Sequence, residues 1–88
     1  MNQVHVNVIL TIIAKHNNYD PMLPGYKVAM SNLMFTYGAD DEFRAMIDEI
    51  EDTFGVLLDE KLPDYAGLGE MSVQAFINEV LAAIEEAA

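Results

Sequence analysis

Apolar residues recur at helical spacing in three stretches of the chain, and clusters of turn residues separate them. The middle stretch is the clearest. Phe43, Met46, Ile47, Ile50 and Phe54 follow the i, i+3, i+4, i+7 rule of one helical face, with polar residues between them. The helix opens at Gly38-Ala39-Asp40-Asp41 and ends at Phe54-Gly55-Val56. Asp40, Asp41 and Glu42 put negative charge where unpaired backbone N–H groups and the helix dipole favour it. Gly55 suits a left-handed C-terminal cap. In the first stretch, residues 2–16, Ile9, Ile12, Ile13 and His16 share a helical face, with Val6 near it. Val4, Val6 and Val8 also alternate with His5 and Asn7, which is a strand pattern. Helix is preferred because the apolar spacing continues through Ile13, but the β-branched content keeps the strand reading open. The third stretch is a helix capped by Ser72, with Val73, Phe76, Ile77, Val80, Leu81 and Ile84 as its buried stripe.

The connections are long. Asn17-Asn18-Tyr19-Asp20-Pro21 stops the first helix, and Pro24-Gly25 marks a further turn. Residues 17–39 make a long loop for so small a domain. Its Met22, Leu23, Val28, Met30, Leu33, Met34 and Phe35 call for burial, so it is expected to lie over the core with a helical turn within residues 26–35. Residues 56–71 hold Pro63 and two glycines, with Leu57, Leu58, Leu62 and Leu68 as anchors and room for one short helix. The expected fold is all-α: one domain over residues 1–88, a small three- to four-helix bundle with a long loop between its first two long helices.

Length agrees with a single core, since a chain of 88 residues buries roughly 60–65% of the surface its unfolded form exposes. Fifteen acids stand against four bases, for a net charge of −11. That field repels phosphate backbones and anionic membranes and speeds encounter with basic surfaces. No cysteine is present, which excludes disulfides, thiolate zinc sites and cysteine nucleophiles. The apolar run at residues 8–14 is too short to span a bilayer, and it lacks the flanks of a signal peptide. A cytoplasmic protein is the expectation, with no nucleic acid, membrane or metal as direct partner.

Gly38-Ala39-Asp40, then Met46-Ile47, Ile50, Glu51-Asp52 and Phe54-Gly55-Val56, followed by a closing helix that begins Ser72-Val73-Gln74-Ala75-Phe76-Ile77, resemble the acyl carrier and peptidyl carrier proteins. The resemblance covers residues 37–84 by local pattern, and residues 2–36 by general layout. It implies a helical bundle whose second long helix starts with a serine esterified to phosphopantetheine and docks on basic patches of synthase enzymes. This chain departs from the pattern at the serine. Counting back from Phe54 puts Asp40 at the attachment position, and counting forward from Gly38 puts Asp41 there. Either way a carboxylate replaces the hydroxyl nucleophile, so no cofactor is expected. Ser31 and Ser72, the only serines, lie outside the family context. The connection between Phe54 and Val73 is also longer than the family usually has.

The resemblance implies a partner-binding face built from Asp41, Arg44, Asp48, Glu49, Glu51 and Asp52. The same acids read equally as a solvated face that aids solubility. Asp40 and Asp41 carry part of the charge of a phosphoserine, but helix capping explains them more simply. His5 and His16 lack metal-ligand spacing, and His16 suits the C-terminal end of a helix. Asp48, Ile50 and Asp52 fail as a calcium loop, because the third position offers no oxygen and the sixth is Thr53. Neither serine sits in a nucleophile elbow. Met22, Met30, Met34 and Met46 read as core filling before they read as an adaptable pocket. A non-enzymatic, acyl-carrier-like protein is therefore expected, working through its acidic helix in fatty-acid or polyketide-type synthesis. The alternative is a small acidic inhibitor or nucleic-acid mimic, for which Asp20, Asp59, Glu60, Asp64, Glu70, Glu79, Glu85 and Glu86 supply charge on several elements.

Overall fold

The computed structural model describes residues 3–36, 41–58 and 70–87 of the chain. Four helices carry the fold: α1 (Gln3–His16), α2 (Tyr26–Ser31), α3 (Asp41–Phe54) and α4 (Val73–Ala87). Two short strands, β1 (Met34–Thr36) and β2 (Glu70–Ser72), pair antiparallel with Met34 opposite Ser72 and Thr36 opposite Glu70.

Helix α1 is the hub and packs on α2, α3 and α4. It buries Val6, Ile9, Leu10, Ile12, Ile13 and Ala14, a wider arc than one stripe. The strand alternative for residues 4–8 is thereby settled in favour of helix. Its C-terminal end is a Schellman cap. Asn18 adopts φ 59°, and the N–H groups of Tyr19 and Asn18 donate to the carbonyls of Ala14 and Lys15 at 2.9 and 3.3 Å. Asparagine tolerates the left-handed conformation better than most residues, and the partly buried Tyr19 packs down on the core behind it.

Helix α3 runs antiparallel to α1. His5 meets Phe54 edge-on at 5.2 Å at one end, and His16 reaches Glu42 at the other. Phe43, Met46, Ile47 and Ile50 are buried, and Phe54 is partly buried. Gly55 closes the helix at φ 66°, and the N–H groups of Gly55 and Val56 both donate to the Glu51 carbonyl. Beyond it the backbone alternates: Val56 and Leu58 point in, while Leu57 is exposed. Leu57 is therefore no anchor. Leu62 and Leu68 lie outside the described residues, as does any short helix between residues 59 and 69.

Helix α4 starts where the ribbon ends. Ser72 is the last residue of β2 and also the N-cap, its Oγ accepting from the Ala75 N–H at 3.1 Å. The Val73 N–H donates to the Leu33 carbonyl, extending the ribbon by one bond. Val73, Phe76, Ile77 and Val80 are buried, Leu81 and Ile84 are partly so, and Phe76 meets Phe43 edge-on at 6.2 Å.

Within the expected long loop, α2 holds only six residues. Tyr26, Ala29 and Met30 face the core at i, i+3 and i+4 spacing, which leaves Val28 on the outer side. Met22, Leu23 and Val28 are exposed, contrary to the expected burial of the whole apolar loop. A helix this short can present only one turn of apolar surface inward.

Replacing Ser72 with alanine removes the α4 cap and should cost about 1 kcal/mol, read as a lowered urea midpoint with unchanged slope. An unaltered midpoint would show that the cap contributes nothing.

Candidate functional site

The polar surface divides according to which way α3 faces. Asp40 lies outside the described residues. Asp41 is the first residue of α3. Arg44, Asp48 and Asp52 follow at four-residue intervals and are all exposed. They form one stripe along the outside of the helix. Asp48 and Asp52 are like charges one turn apart, an arrangement that costs an isolated helix roughly 0.2–0.5 kcal/mol.

Glu49 and Glu51, expected beside them as partner contacts, have internal work. The Glu51 carboxylate accepts the Leu58 N–H at 2.8 Å, while its own backbone carbonyl holds the Gly55 and Val56 N–H groups. One residue thus closes α3 and fixes the turn that buries Leu58.

Glu49 binds back to α1. Its Oε2 lies 2.6 Å from Lys15 Nζ, and its Oε1 lies 2.8 Å from His16 Nε2. The other imidazole nitrogen, Nδ1, lies 2.7 Å from Glu42 Oε1. Glu42 and Glu49 are seven residues apart, so α3 presents both on the side of the α1 terminus. A neutral imidazole carries one N–H and cannot donate at both nitrogens, so this geometry belongs to the imidazolium. Burial pushes the His16 pKa down, but the hydrogen bonds to Glu49 and Glu42 and their charges outweigh it, and the net direction is upward. The hydrogen bonds from Lys15 and then His16 hold Glu49 below the ordinary glutamate range, against a smaller upward push from burial. Sequence reasoning placed His16 at the end of a helix but missed its partners. The available signal was charge complementarity: a Lys-His pair ending one helix, and acids seven residues apart on the next.

A shallow, open groove of about 290 Å³ lies between α1 and α3, lined by Asn7, Val8, Thr11, Ile12, Glu49 and Thr53. The Thr11 and Thr53 hydroxyls donate to the Asn7 and Glu49 carbonyls of their own helices. Ser31 Oγ likewise donates to the Lys27 carbonyl, and Ser72 caps α4. Neither serine stands at the head of α3. Among the described residues no group of three or more His, Cys, Asp or Glu side chains is placed to hold a metal ion. No helix among them is long and apolar enough to cross a membrane.

The two classes of acid should separate by mutation. Glu51→Ala should cost about 1 kcal/mol, because it strands the Leu58 N–H. Asp48→Asn and Asp52→Asn should each stay within about 0.5 kcal/mol of the parent. Urea unfolding of the three variants measures both, and equal losses at all three positions would contradict the division. No family model, curated protein or solved structure matches the chain.

Proposed function

We propose that this protein is a non-catalytic binding module of acyl-carrier-like layout, without a hydroxyl for phosphopantetheine, that meets a basic surface on a partner enzyme of fatty-acid or polyketide-type synthesis. The observation that carries the reading is the outer stripe of α3. Asp48 and Asp52 take no part in the bonds that engage Glu42, Glu49 and Glu51, and both are exposed. Their mutual repulsion brings the isolated helix no benefit, whereas a basic surface would relieve it. Arg44 on the same stripe breaks the run of negative charge and can set the register of docking. Asp41, at the head of the helix, belongs to the same face by resemblance. Glu49 and Glu51 support the surface from within.

A second reading draws on a different observation. Glu85 and Glu86 are exposed in the last turn of α4, which contains no basic residue, so negative charge sits where the helix dipole disfavours it. Together with exposed Asp20, this puts acid on elements far from α3 in sequence. An acidic inhibitor or nucleic-acid mimic would use that spread.

Binding measurements with a carrier-dependent ketosynthase, and displacement of duplex DNA from a basic DNA-binding protein, distinguish the two. Under the preferred reading the parent protein binds the synthase, and Asp48→Lys/Asp52→Lys weakens binding about tenfold or more at low salt, with the difference shrinking as salt rises. DNA displacement without synthase binding favours the mimic. A pantetheine adduct, detected by mass spectrometry after incubation with a phosphopantetheinyl transferase and coenzyme A, would reject the premise of the preferred reading.

A further inference from the structure

We propose that Lys15, His16, Glu42 and Glu49 form a proton-operated latch between the last turn of α1 and the face of α3, closed while the imidazole is protonated and loosened when it is neutral. His16 is held at both ring nitrogens by carboxylate oxygens, at 2.7 and 2.8 Å, on two different glutamates. Removing one proton converts an N–H donor into a lone pair facing a carboxylate oxygen. Two acceptors at that distance repel, so one of the two bonds must break. The His16 side chain is only 16% exposed, so most of the ring is shielded from water, and the Glu42 side of the latch is the more open one.

Among the described residues few charged groups act on the ring. Glu42 and Glu49 face it from α3. Lys15, on its own helix, shares Glu49. Among the described residues His16 makes no ion pair or hydrogen bond to α2 or α4, although both pack on α1. The cluster is therefore neutral when latched and carries one net negative charge after His16 releases its proton. Glu49 also lines the groove between α1 and α3, which places the latch at the edge of that opening.

The pH dependence follows from the two shifted groups. The folded-state pKa of His16 lies above its ordinary 6.5. Its contribution to stability is thus complete below 6.5 and lost as pH rises through the folded value. Glu49 is lowered from 4.5, so its contribution is present above 4.5 and lost as pH falls through the folded value. The latch is closed between those limits and opens on the alkaline side by way of His16.

Two measurements on the full chain test this. Imidazole ¹⁵N NMR should show His16 doubly protonated at pH 6, with a titration midpoint above 6.5. Urea midpoints taken from pH 6 to pH 9 should fall in the parent protein more steeply than in His16→Gln. If His16→Gln does not fold, Glu42→Gln takes its place, since at an exposed position it replaces one of the two carboxylates by an uncharged amide that can pair with the neutral ring as well as with the protonated one. It should lower the His16 titration midpoint and flatten the same slope. A His16 midpoint at or below 6.5, or parallel slopes in parent and variant, overturns the proposal.

Discussion

The described helices are arranged around the burial of α1. Six of its fourteen residues are buried, and they contact three other helices. A fully buried valine, leucine or isoleucine contributes about 1.5–3 kcal/mol, so this one helix is the largest single source of apolar burial to which the others attach. Among the described residues the core contains no buried polar or charged side chain. Polar side chains therefore lie outside the core, many of them at the rims where helices end and chain segments turn. The caps at Asn18, Gly55 and Ser72 and the Glu51 bond to Leu58 all sit at such ends.

The rim also explains why the acids of α3 cannot be treated as one surface. Glu42 and Glu49 look toward the cationic end of α1, and Glu51 folds over the helix terminus. Asp48 and Asp52 look outward. A helix rotates about 100° per residue, so neighbouring acids in sequence fall on different faces. Net charge and acid count blur that distinction, while position along the helix resolves it.

Much of the fold was legible in the sequence, and the failures have identifiable causes. Helix α3 reads cleanly because it packs on one side, so its apolar stripe stays narrow. Helix α4 reads well because its buried residues keep to one stripe, and because Ser72 stands where a cap is needed. Helix α1 is ambiguous because it is packed on three sides. Leu10 and Ala14 widen its apolar arc and blur the helical period, which is why a strand remained a competing reading. The β1–β2 ribbon was not foreseen. Three-residue strands carry too little alternation to register, and their pairing joins segments far apart in the chain. At the candidate site, the four-residue spacing of residues 44, 48 and 52 was there to be read, but the sequence reading grouped them with Glu49 and Glu51 as one face. The inward roles of Glu49 and Glu51 were not legible there, because they depend on which helix lies alongside and on how the chain turns after Gly55.

The ribbon bears on how the chain accommodates length. Pairing Met34 with Ser72 ties a knot of backbone hydrogen bonds at the base of one large closed excursion, and α3 lies within it. The entropy of closing such a ring grows only logarithmically, about 0.6 kcal/mol for each doubling. Extra residues between Leu58 and Glu70 therefore weigh little against a helix already anchored to α1. The connector can therefore change in length while the helical frame around it stays the same.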